Sequence, residues 1–201
     1  MRIASWSWGG QDHVGLVSPD GREATPLAAP NPARGALDLI RIMSTGSPLP
    51  RESGPRVAVD AITLRAPLPR PLRSIICVGR NYREHAAELA ATVFRDSVAT
   101  DDGWPIVFSK LGECVVGPHD TVRLPGNAIS SQIDYESELS VVIGRGGLNI
   151  PRARAMDHIF GYTIVNDVTA RDLQVRKTAN GTVWYELGRG KAFDASAPMG
   201  P

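Results

Sequence analysis

Three prolines at alternate positions, Pro67, Pro69 and Pro71, constrain this chain more than any other feature. Each fixes its own φ and lacks a backbone N–H, so neither a helix nor a central sheet ladder runs through them, and the connection is stiff. The chain is therefore read as two units, residues 1–66 and 67–201. In the first, strands are predicted at residues 2–8 and 14–17, ahead of the turn Ser18-Pro19-Asp20-Gly21. Leu37, Ile40 and Met43 recur at helical spacing, and the Gly/Ser/Pro-rich residues 45–55 end any regular element. Alternation returns at residues 57–59 and 62–64, so the unit is small and β-rich.

Beyond the prolines the pattern stays mainly β. Strands are predicted at residues 75–78, 106–109, 122–124, 136–143 and 161–166, with helices over 152–158 and after Gly79-Arg80-Asn81-Tyr82. This describes an α+β chain dominated by strands. The turn Gly144-Arg145-Gly146-Gly147 lacks the G-x-G-x-x-G order of a dinucleotide loop and reads as a hairpin or loop.

Composition excludes more than it assigns. Hydrophobic residues make up 42% and charged residues 21%, and 22 Lys+Arg against 21 Asp+Glu leave a formal charge of +1. No basic stripe or module indicates nucleic acid, and no run approaches the length needed to cross a bilayer, so neither partner is expected and the expected location is cytoplasmic. Cys77 and Cys114 lie far apart and fit neither a disulfide scaffold nor a zinc site. Cys77, inside Ser-Ile-Ile-Cys-Val, is expected in the core rather than as a nucleophile.

Chemistry concentrates in the acids. Glu136 and Glu138 are two apart in a predicted strand, so both carboxylates point to one face. Adjacent negative charges require a compensating cation or donors if buried, and a metal supplies that; spacing alone fits a solvated face equally well. Asp167 follows the predicted strand at residues 161–166 and lies at its end, and three carboxylates without paired His or Cys suit a hard cation: Mg²⁺, or Mn²⁺ or Ca²⁺. His85 and Glu88, three apart on a predicted helix, form either a general base with its orienting acid or a surface pair. Lys191, in a glycine-flanked loop, can reach a substrate oxyanion, while Arg171 and Gln174 can bind a carboxylate or carbonyl; surface roles fit these three as well.

Four ordered blocks carry a resemblance: residues 79–88 (Gly-Arg-Asn-Tyr-Arg-Glu-His-Ala-Ala-Glu), residues 134–139 (Asp-Tyr-Glu-Ser-Glu-Leu), Gly161-Tyr162-Thr163 through Asn166-Asp167-Val168-Thr169-Ala170-Arg171-Asp172, and Gly190-Lys191-Ala192-Phe193-Asp194. Residues 74–201 resemble the fumarylacetoacetate hydrolase family, and the first segment looks like the variable N-terminal domain of many members. The resemblance implies a mixed β-sandwich roll, a homodimer, and Mg²⁺ or Mn²⁺ on Glu136, Glu138 and Asp167. His85, Glu88 and Lys191 match the family's catalytic positions, and Arg171 and Gln174 its substrate contacts. The implied activity is metal-dependent hydrolysis of a carbon-carbon bond in small 2,4-diketo acids, such as acylpyruvates or fumarylacetoacetate-like compounds. Oxo-acid decarboxylation, 2-hydroxyhepta-2,4-diene-1,7-dioate-type isomerisation, or a truncated, inactive metal-binding remnant also fit it. Two departures stand out. The connection over residues 89–105 is long and polar, as a lid would be. Members continue beyond the lysine block with further strands and a Thr-Gly-Thr-Pro loop, so a C-terminal part is expected to be missing and apolar faces to be exposed.

Overall fold

A computed structural model describes residues 1–79, 81–82 and 105–200. Strands β1 (Arg2–Trp8), β2 (Gln11–Val17), β3 (Glu23–Pro26), β4 (Val57–Ala58) and β5 (Thr63–Arg65) form an antiparallel sheet in the order β4-β3-β2-β1-β5. Between β2 and β3, the Gly21 N–H donates to Ser18 O, and Gly21 takes φ +78°, which glycine adopts without steric cost. Helix α1 (Leu37–Ser44) sets Leu39 and Ile40 against Val14 and Leu27. On the sheet itself, Trp6 is wholly buried with Ala4 and Ala24 around it.

The remaining strands make short pairs. β6 (Ile75–Gly79) pairs with β7 (Ile106–Lys110), which precedes β8 (Val115–Val116) and β9 (Ile133–Asp134). The longest pair joins β10 (Ser137–Ile143) to β11 (Ile159–Asn166), setting Glu138 opposite Val165 and Val141 opposite Tyr162. Then come β12 (Thr169–Ala170), α2 (Arg171–Gln174), β13 (Val175–Lys177), β14 (Val183–Tyr185), α3 (Leu187–Lys191) and β15 (Ala197–Pro198). β12 pairs with β9 and β13 with β14, both antiparallel; β15 runs parallel to β8, which makes the strand set mixed. A second apolar cluster, Ala66, Cys114, Val115, Val165, Ala197 and Met199, joins β8, β11 and β15.

Two local expectations are corrected. Residues 122–124 join no described sheet; Pro125 follows them and removes the next backbone donor. Residues 152–158 form a 3₁₀ segment, Arg152–His158, rather than an α-helix; the Arg154 N–H closes a three-residue turn onto Pro151 O, and no side chain caps its start. Among the described residues no helix is long and apolar enough to cross a membrane.

Along β10 the alternation is inverted relative to an ordinary half-buried strand. Leu139, Val141 and Ile143 are exposed, joined across the pair by Tyr162 and Ile164, while Glu138, Ser140 and Val142 face inward.

Candidate active site

The inward alternation begins before β10. Glu136 is half-buried between exposed Tyr135 and Ser137, so Glu136 and Glu138 do share a face. Backbone bonds fix Glu136: its N–H donates to Asn166 Oδ1 at 3.0 Å, and the Asp167 N–H donates to Glu136 O at 2.7 Å. The end of β11 and the approach to β10 are thereby clamped, and Asp167 is carried into the interior.

Lys191 closes the cluster. Its Nζ donates to Asp167 Oδ2 at 2.8 Å and to Glu136 Oε2, and it lies 5.0 Å above the centre of the Phe108 ring. Only 3% of Lys191 and 2% of Asp167 is exposed. The lysine sits on the one-turn helix α3 rather than in a loop. Gly190 permits this, because a Cβ there would meet Gln174 Cα at 2.8 Å, and the Glu186 N–H donates to Gln174 O at 2.9 Å.

Arg171 opens the other side. Its Nη2 donates to Glu136 Oε1 at 2.6 Å and to Asp134 Oδ2 at 2.8 Å, and its Nη1 donates to Gln174 Oε1 at 3.2 Å. The Thr169 hydroxyl donates to Glu136 Oε2 at 3.0 Å. Burial acts to raise the Glu136 pKa, but Lys191 and Arg171 outweigh it and hold the carboxyl at about 2. Cys77 shifts upward instead: burial first, then Asp167 and Glu138, pushes its thiol up to about 12 against the pull of Lys110 and Lys191. It stays protonated and is no nucleophile at neutral pH.

Side chains thus supply the compensation that the sequence assigned to a metal: Lys191 bridges Glu136 and Asp167, and Arg171 takes the other Glu136 oxygen. Among the described residues no three His, Cys, Asp or Glu side chains are gathered into a ligating cluster. The donor chemistry nevertheless fits a hard cation. Glu136 and Asp167 already turn oxygens toward one shared charge, the field of Glu138 reaches Cys77 together with that of Asp167, and buried Asp167 Oδ1 lacks a well-directed hydrogen bond.

Of the residues singled out from sequence, Glu136, Asp167, Lys191, Arg171 and Gln174 form one connected network, and Glu138 faces the same side. His85 and Glu88 lie outside the described residues, as do positions 89–104 of the long connection. Sequence reasoning missed Lys110, which is 0% exposed and lies 2.8 Å from Asp167 Oδ1. Its signal was a lysine closing the apolar run Ile106-Val107-Phe108-Ser109, two residues after Phe108 and hence on its face. Asp134 and Thr169, both within the quoted blocks, were assigned no part.

Comparisons with known proteins bear on this site. A family model described as fumarylacetoacetate (FAA) hydrolase C-terminal matches residues 74–201. The chain is 44% identical over 144 residues to an oxaloacetate tautomerase of Bacillus subtilis (strain 168), covering 72% of this chain and 43% of that protein. To a mitochondrial oxaloacetate tautomerase of Bos taurus it is 35% identical over 203 residues, covering 94% and 57%. Among solved structures, fumarylacetoacetate hydrolase from psychrophilic Exiguobacterium antarcticum superposes with a TM-score of 0.70 at 29% identity, over 100% of this chain and 65% of that one. A 5-carboxymethyl-2-hydroxymuconate delta-isomerase from Mycobacterium smegmatis gives 0.69 at 26%, with the same coverage. The chain thus matches about half the length of these curated relatives. The mainly β, mixed roll expected from sequence is the fold these structures share.

Proposed function

The chain belongs to the fumarylacetoacetate hydrolase family, and from that premise we propose that it interconverts the keto and enol forms of a small 2-oxo dicarboxylic acid such as oxaloacetate. One observation carries the reading: a buried ammonium, Lys191, held between two carboxylates and beside Arg171, where a carbonyl turning into an enolate can be stabilised. The names of the tautomerase relatives support the choice of substrate.

Tautomerisation needs little machinery. A C3–H bond breaks, the carbon-carbon double bond forms, and the carbonyl oxygen gains a proton; the reverse restores the ketone with no net change in atoms. Lys191 Nζ is the donor placed to stabilise charge on that oxygen, and Arg171 with Gln174 binds a substrate carboxylate. His85 takes the carbon-bound proton in this reading, oriented by Glu88 three residues on. Glu136, Glu138 and Asp167 would hold Mg²⁺, or Mn²⁺ or Ca²⁺, which supplies Lewis-acid stabilisation of the same oxygen when bound. A homodimer and a cytosolic location belong to the same reading.

A second reading, hydrolysis of acylpyruvate-like or fumarylacetoacetate-like diketo acids, rests on the His85 and Glu88 spacing, which also suits activation of water for attack on a carbonyl. The decisive assay follows the ultraviolet absorbance of enol-oxaloacetate with wild type, Glu138→Ala and His85→Ala, alongside release of pyruvate from acetopyruvate. Faster decay of the enol band, lost at least a hundredfold in Glu138→Ala, is expected. Acetopyruvate cleavage with no effect on the enol band transfers the assignment to hydrolysis. A folded protein that neither accelerates tautomerisation nor binds Mn²⁺ ends the metal-enolate reading.

A further inference from the structure

Lys110 is the most buried cation of the described residues and takes no part in the reaction outlined above. An isolated buried ammonium is costly, and burial lowers the Lys110 pKa while Asp167 works to raise it. Its Nζ donates to Val168 O at 3.2 Å and to the backbone O of Lys191, and it forms an ion pair with Asp167 Oδ1 at 2.8 Å. With no exposed surface and its ammonium enclosed by these protein oxygens, Lys110 is out of a substrate's reach. It therefore acts through its neighbours.

Those neighbours belong to two separate segments. Asp167 and Val168 follow β11, whereas Lys191 ends α3; the Ser196 hydroxyl donates to the same Lys191 carbonyl at 2.9 Å. The Asp167 carboxylate is gripped on opposite oxygens, Oδ1 by Lys110 and Oδ2 by Lys191. We propose that Lys110 is a positioning residue: a buried three-way clamp from β7 that sets the Asp167 carboxylate and the Lys191 ammonium at their working separation. This rests in part on the metal-enolate reading, because Asp167 is there assigned as a metal ligand, but the clamp itself is a property of the protein alone. Groups that orient metal ligands from behind typically contribute ten- to a hundredfold in affinity.

Two measurements on Lys110→Met, which keeps an unbranched stem and removes the ammonium, test this. Hydrogen exchange without metal should accelerate at least tenfold in peptides carrying residues 167–169 and 187–192, with β1 and β2 unchanged. Calorimetric titration of Mn²⁺ should show affinity falling about ten- to a hundredfold. If Lys110 only placed a repelling charge beside the acids, removing it would tighten Mn²⁺ binding; tighter or unchanged binding with unchanged local exchange overturns the clamp. Uniformly faster exchange across the chain also overturns it, since that marks a general packing role. Should Lys110→Met fail to fold, Lys110→Gln, which is shorter and lacks the charge that grips Asp167, is read on the same scale: faster exchange at both segments supports the clamp, and wild-type exchange there overturns it. A wild type that does not bind Mn²⁺ defeats the metal assignment, and the exchange arm still decides the clamp.

Discussion

The five-stranded sheet buries mainly apolar side chains, whereas the β10–β11 region buries a set of charges beside its apolar cluster. In the sheet, Trp6, Val14 and Ala24 fill the interior with Leu39 of α1 packed against Val14, and charged groups such as Asp12 and Arg65 pair at its margin. Around β10 and β11, Lys110, Asp167 and Lys191 occupy the interior, while Leu139, Val141, Ile143, Tyr162 and Ile164 stand outside. Apolar burial stabilises whatever its exact geometry, because it scales with the area removed from water. Buried ion pairs must first overcome desolvation, and removing one partner leaves an uncompensated charge. The sheet is therefore built for stability, and the second region spends stability on a fixed charge arrangement, the condition under which an enolate is stabilised electrostatically.

The largest test of this contrast is Trp6→Ala. Trp6 is wholly buried and stacks on His13 at 5.8 Å between ring centres. Its loss should lower unfolding stability by about 3–5 kcal/mol in a urea titration. A loss under about 1 kcal/mol would show that the sheet is not the stabilising region.

Acid should separate the regions next. Glu136 is held at about 2 in the folded chain against an ordinary value of 4.5, so its contribution is complete above about 4.5 and is lost as pH falls through about 2. Hydrogen exchange between pH 5 and 2 should show residues 134–138 and 167–171 losing protection in that window. The sheet should lose less: the Asp12 carboxyl is also lowered, by Arg65 and Ser7 against burial, but it is well solvated and its pair is screened. Simultaneous loss in both regions would remove the distinction.

The smallest effect is expected on the outward face. Val141→Ser changes an exposed residue and should alter stability by less than about 0.5 kcal/mol, yet reduce self-association in sedimentation by shrinking the apolar patch. A large stability loss would mean that this face is covered in solution, and would reverse the reading of β10 as inside-polar.

How much of this was legible varies with sequence distance. β1, β2 and α1, and in outline β4 and β5, followed from local alternation and turn chemistry, since neighbours in sequence decide them, whereas β3 (Glu23–Pro26) was not foreseen. The shared face of Glu136 and Glu138 followed from the two-residue period, and the ordered blocks pointed to the family. The segment at 122–124 was misread because an apolar run becomes a strand only with a partner, and nothing local names the partner. The helix at Lys191 was read as a loop because its two glycines suggest one; the Gln174 backbone packed against Gly190 explains the second of them.

The sequence by itself determined which residues carry charge, which segments can be extended, and, through its ordered blocks, which family the chain belongs to. Tertiary structure alone decided who neutralises them. Lys191 reaches Glu136 across 55 residues and Lys110 reaches the Lys191 carbonyl across 81, contacts that no periodicity encodes. The physical reason is that a charge is compensated by what lies within a few ångströms in space, and chain folding, not chain order, sets that distance.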